Sequence, residues 1–158
     1  MQKPRTSRFI KLSPKESSII RFLRFNPGKT TAEIIKALNL KRANSYNLLS
    51  ALYDHGLLIC GRSSSHRGDR GRIPEKWYVN SEYGYVLGVE FWNWLIVAGL
   101  LDFSGKILFH KSTRIPTGFI PHQDNDLARK AVTLMREVVD ESGIREKDIL
   151  GIGLFAPG

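Results

Sequence analysis

Residues 30–57, TTAEIIKALNLKRANSYNLLSALYDHGL, constrain this chain more than any other stretch. Thr30 and Glu33 stand three apart, so each side chain can satisfy the other's backbone N–H as a capping box. Ile34, Ile35 and Leu38 then recur on one helical face. Asn39 suits a turn because it tolerates left-handed backbone, and Leu40 can fill the gap between two helices. The second helix buries Leu48, Leu49 and Leu52, and Gly56 is a natural residue just past its end. Its start is weaker, since Lys41 stands where a capping serine or threonine is expected. The pattern predicts two short helices joined by a tight turn, the second with a polar outer face. On that face Arg42, Asn44 and Asn47 can reach base edges, while Lys41, Ser45 and Tyr46 have the length or the hydroxyl for phosphates. Thr31 opens the first helix of the pair and is a further candidate contact. Helix pairs with polar outer faces also occur as plain solvated structure, so the flanking sequence has to discriminate.

Charge does so. The net charge is +9 over 158 residues. Residues 1–80 hold 16 Lys or Arg against 5 Asp or Glu, a net of +11, and residues 81–158 hold 8 against 10, a net of −2. The whole positive excess lies with the helix pair, as expected of a half that meets a phosphate backbone. Double-stranded DNA is therefore the expected partner. No apolar run approaches the roughly 18 residues of a membrane span, and the basic start, MQKPRTSRF, leads into no signal-like apolar segment. The single cysteine, Cys60, cannot form an internal disulfide. A cytoplasmic setting is the default expectation.

Taken in order, residues 1–12 read as a basic arm with Lys3, Arg5, Arg8 and Lys11. Ser13, Pro14 and Glu16 form another helix start, and Ile19, Ile20 and Leu23 follow at core spacing until Asn26-Pro27-Gly28 ends the helix. This helix would brace the pair as the first of three. After Gly56, residues 57–59 and 77–79 read as strands flanking GRSSSHRGDRGRIP, a loop carrying Arg62, Arg67, Arg70 and Arg72 among glycines. Glycines allow close approach to a groove and arginines can enter it or bind phosphates. A plain surface hairpin is the competing reading. Its place directly after the helix pair makes residues 13–80 a winged helix-turn-helix of three helices and a two-stranded wing.

Residues 81–84 read as a linker, and beyond them the composition turns neutral and strand-rich. Strands are expected at 85–90, 94–102 and 106–111, then a loop at 117–126. An amphipathic helix follows at 127–142, with Ala131, Leu134, Met135, Val138 and Val139 on its buried side. A strand at 149–154 comes last. Three antiparallel strands, a helix and a strand match the opening of an RNase-H-like, actin-like α/β domain, so the fold class expected is α+β with a partial second domain at 85–158. One helix covers one face of such a sheet. A fragment of a longer chain, or a face shielded by a partner, is expected.

The winged helix, then GYVLGVEF, a strand pair turning at LDFSGK, a helix and DILGIGLFAPG resemble transcriptional regulators of the ROK family (repressor, open reading frame, kinase). Gly71-Arg72-Ile73-Pro74 stands where the family often has Gly-Arg-x-Pro, and the last strand leads into Ala156-Pro157-Gly158 as its Gly-x-Pro-Gly does. The resemblance covers nearly the whole chain from about Ser13. It implies a repressor of carbohydrate genes relieved by a sugar, acting as a homo-oligomer. The family's sugar-binding carboxylates and its structural zinc ligands fall later than Gly158. No cofactor or metal is therefore expected in this chain, and His55, His66, His110 and His122 with Cys60 show no ligand spacing.

Kinases of the family carry Asp-x-Gly-Gly-Thr where this chain has Glu90-Phe91-Trp92-Asn93-Trp94. Bulky aromatics in place of the glycines remove a phosphate cradle. Packing in the sheet or against the winged helix is the reading expected for Phe91, Trp92 and Trp94, with sugar stacking as the lesser one. No catalytic residue is assigned and no enzyme activity is expected. The rivals are a sugar kinase with an added basic domain, and a winged helix used for protein or RNA contacts.

Overall fold

The computed structural model describes residues 10–62, 74–92, 94–115 and 126–155. They form two compact units, residues 1–80 and 81–158, holding four α-helices and two sheets between them.

The first unit opens with α1 (Pro14–Phe25). Glu16 N–H donates to Ser13 Oγ at 3.3 Å and Ser13 N–H donates to Glu16 Oε2 at 2.7 Å, with Pro14 inside the start. After the turn at Gly28, β1 (Lys29–Thr30) runs into α2 (Thr31–Leu38), whose cap repeats the device with Thr30 and Glu33. Asn39 ends α2 at φ 48°, the left-handed conformation its short amide side chain tolerates. Helix α3 (Arg42–Asp54) follows, and Gly56, at φ 75°, turns the chain into β2 (Leu58–Arg62). Strand β3 (Glu75–Val79) pairs antiparallel with β2 from Leu58↔Val79 to Arg62↔Glu75 and with β1 at Lys29↔Trp77. Ile19, Ile20, Leu23, Ile34, Leu49, Leu52, Leu58 and Val79 are its buried apolar centre.

Two features depart from the sequence reading. The expected two-stranded hairpin is the larger part of a three-stranded sheet ordered β1-β3-β2. The second is residues 81–84, expected as a linker. Ser81–Tyr83 is instead a 3-10 turn whose Tyr83 is buried with its ring 4.8 Å from that of Phe103.

The second unit is a four-stranded sheet ordered β6-β5-β4-β7, with α4 (Asp126–Ser142) on one face. Its strands are β4 (Tyr85–Trp92), β5 (Leu95–Asp102), β6 (Ile107–Arg114) and β7 (Ile149–Phe155). The first three pair antiparallel and β7 runs parallel to β4. Alternation places Leu87, Val89, Ile96, Ala98 and Leu100 under Ala131, Leu134, Val138 and Val139 of the helix. Met135 is partly rather than fully buried there. Lys111 on β6 clasps the helix from the side, donating to Glu141 at 2.6 Å and Glu137 at 3.1 Å, and these carboxylates raise its pKa. The other face carries Val86, Gly88, Glu90 and Trp92 of β4. Register aligns them with Leu101, Gly99, Val97 and Leu95 of β5. Strand β7 lies at the sheet edge with Ile152, Leu154 and Phe155 exposed.

Candidate nucleic-acid interface

Helix α3 is held by its apolar stripe, and the opposite side of its first turns is left to solvent. Leu49 and Leu52 are buried and Leu48 half-buried, whereas Arg42, Asn44, Tyr46 and Asn47 are exposed, together with Lys41 at the cap position. No side-chain hydrogen bond or ion pair engages Lys41, Arg42, Asn44, Tyr46 or Asn47 among the described residues. The Lys41 backbone is extended and its side chain makes no cap. The first-turn amide donors of α3 thus lack the side-chain acceptor that α1 and α2 have.

Ser45 departs from expectation. Its side chain is 0 % exposed and its hydroxyl donates to the Lys41 carbonyl at 2.9 Å, so it serves the helix interior and is unavailable to a phosphate. The reason lies in spacing: positions 45, 49 and 52 form one helical stripe, and that stripe faces the core. Thr31 is half-buried, and its Oγ1 accepts a hydrogen bond of 3.0 Å from Trp77 Nε1 on β3. Its hydroxyl proton remains able to donate. Arg62 ends β2, paired in register with Glu75 of β3. Arg67, Arg70 and Arg72, the other wing candidates, lie outside the described residues, as do residues 71–73 and 156–158 of the two family-like motifs and residues 1–9 of the arm.

Trp77 is a residue whose role the sequence reading missed. Its indole bonds α2 through Thr31 and meets Tyr53 of α3 edge-on, ring centroids 6.2 Å apart at 77°, while its backbone carbonyl accepts from Gly28 N–H at 3.0 Å. It joins both helices of the pair to the sheet. The only trace of this in the sequence is a tryptophan at the start of a strand, because the contact spans 46 positions.

In the second unit, Phe91 packs against the core as expected, but Trp92 and Trp94 do not. They are 42 % and 62 % exposed. Alternation explains the split, since Phe91 points to the α4 face and Trp92 to the opposite one. Among the described residues no cluster of His, Cys, Asp or Glu could hold a metal ion, and no helix is long and apolar enough to cross a membrane.

No family model matches the sequence, and no curated protein matches it. Among solved structures, the chain is similar to a crystal structure described as a ROK family transcriptional regulator, homologue of the E. coli Mlc protein. The TM-score is 0.57 and the sequence identity 18 %, and the match covers 91 % of this chain and 36 % of that one. The chain thus spans little more than a third of that protein. At this identity the likeness is one of fold, a mixed α+β arrangement of four helices and two sheets shared with a transcriptional regulator.

Proposed function

We propose that the chain is a sequence-specific DNA-binding regulator. Helix α3 would enter the major groove, and the hairpin of β2 and β3 would act as a wing on the flanking groove or backbone. The observation that carries this reading is the exposed, unpaired run Lys41, Arg42, Asn44, Tyr46 and Asn47 on one helix, inside a half of net charge +11. Arg42, Asn44 and Asn47 read bases. Lys41, Tyr46 and the open amide end of α3 hold phosphates, with Thr31, Arg62, Arg67, Arg70 and Arg72 as backbone contacts. The fold likeness to a transcriptional regulator supports the same reading, as does the resemblance in motif order, which adds relief of repression by a sugar and assembly into a homo-oligomer.

Fluorescence anisotropy with duplex DNA across a salt series tests it. Binding should weaken steeply as salt rises, and Lys41→Ala should flatten the slope by about 1. Arg42→Ala or Asn44→Ala should cost about 1–3 kcal/mol on the cognate site and relax base preference, whereas Arg70→Ala should weaken all sequences alike. Absence of binding at low salt would turn the reading toward protein or RNA contacts. Equal losses on every sequence for the helix variants would mean that α3 holds the backbone and reads nothing.

A further inference from the structure

The burial of Ser45 fixes how α3 is turned about its own axis. Ser45, Leu49 and Leu52 are 0 %, 1 % and 0 % exposed, and they mark the side that faces the core. Each residue of an α-helix is displaced by about 100° from the one before it. Ala43 and Asn47, two positions before Ser45 and two after, therefore both lie about 160° round the helix from it, and Ser50 about 140°. All three are exposed. They form the crest of the outer face. Arg42 and Tyr46 fall on one flank of that crest and Asn44 on the other, about 60–100° from Ser45.

The crest is short-chained over its first two turns and ends in an acid, Asp54. Short side chains let a helix backbone come close to the base pairs of a major groove, whereas a carboxylate repels phosphates. The amino-terminal half of α3 is thus the part suited to enter deepest. On the floor of that groove the C5-methyl of thymine is the apolar group a base pair presents, and an alanine methyl is a fitting partner for it. An asparagine amide matches N6 and N7 of adenine with two hydrogen bonds. Ala43 and Asn47 are four residues apart, a rise of about 6 Å, close to two base-pair steps of about 3.4 Å. Alanine suits any exposed helix position through its propensity, but here its methyl is central to the polar face, between Arg42 and Asn44.

We infer, resting on the DNA-binding reading of α3 given above, that Ala43 is a specificity-determining residue that packs its methyl on the C5-methyl of a thymine, and that Asn47 pairs with an adenine one or two base pairs away. Arg42 and Asn44 reach base edges from the two sides of this contact. Ser50, with a hydroxyl that both donates and accepts, tolerates several bases.

Selection of duplexes from a randomised library by the full chain, followed by anisotropy on the selected site with each thymine replaced in turn by uracil, tests it. Uracil differs from thymine only in lacking the C5-methyl. One replacement should weaken binding roughly three- to fivefold, the worth of one buried methyl. In Ala43→Gly that penalty should disappear. Glycine also loosens the helix start, but the thymine-to-uracil ratio is taken within one protein and does not register a general loss. Ala43→Ser, gentler on the helix, should lower the same ratio. Asn47→Ala should cost roughly tenfold on the selected site and abolish the preference for adenine within two pairs of that thymine. Binding without an enriched sequence overturns the inference, as does a site where no uracil replacement matters. A uracil penalty undiminished in both Ala43 variants, or an adenine preference that survives Asn47→Ala, overturns it too. Those outcomes leave DNA binding by α3 standing, whereas a chain that retains no duplex at low salt removes both.

Discussion

At the level of single residues, the start of α3 is a compromise between stability and contact. Lys41 has the extended backbone of a cap residue without an acceptor to offer the first turn. Lys41→Ser should therefore raise stability by about 0.5–2 kcal/mol in a denaturant titration while weakening binding to any duplex. A rise in stability with undiminished DNA affinity would show that the lysine is idle. Glu33 shows the opposite case, a completed cap. The Thr30 backbone N–H, the Thr30 hydroxyl and Lys29 hold its carboxyl at about 2, against an ordinary 4.5. The depressed value means that ionised Glu33 favours the fold above pH 4.5, and that this contribution fades as pH falls from 4.5 through about 2. Carboxyl titration by NMR should find a midpoint near 2 that rises only part of the way toward 4.5 in Thr30→Ala, which removes the hydroxyl but keeps the backbone N–H, the larger cause. Both caps, and the left-handed Asn39, were legible in sequence because each depends on residues within four positions. Ser45 is legible too, because its spacing from Leu49 and Leu52 puts it on the core stripe, although its residue type alone suits a contact group.

Among elements, what escaped the sequence was whatever pairing supplies from a distance. Strand β1 is two residues long and exists through Lys29↔Trp77 and Thr30↔Lys76, so no local periodicity could announce it. The exposure of Trp92 and Trp94 was likewise hidden, since the strands are expected at 85–90 and 94–102 whereas β4 runs on through Trp92 and Trp94 lies in the turn before β5, so the face each takes could not be read from alternation. By contrast the core side of α4 was readable from its 3.6-residue rhythm, Met135 alone being less deeply placed than expected. Trp77 makes the three-stranded sheet part of the helix pair's support. Trp77→Phe keeps most of the ring and removes the bond to Thr31, which should cost about 0.5–1.5 kcal/mol. Amide exchange in β3 and at the start of α2 should quicken together. Faster exchange in β3 alone would show that the indole bond does not couple the two.

At the scale of the whole chain, two compact units correspond to two charge regimes, one of net +11 and one of net −2. The division was visible in composition because charge density needs no knowledge of packing. The sheet edge was not. Strand β7 pairs with β4 alone among the described residues, and it carries Ile152, Leu154 and Phe155 in the open, Leu154 at 72 % exposure. An apolar strand with one free row of amides and carbonyls is a template for another strand. Self-association along β7 is therefore the expected behaviour of this polypeptide in concentrated solution. Ile152→Lys with Leu154→Lys should lower light scattering in concentrated samples and leave the helical signal of α4 in place. Unchanged scattering would move the source of self-association to another surface.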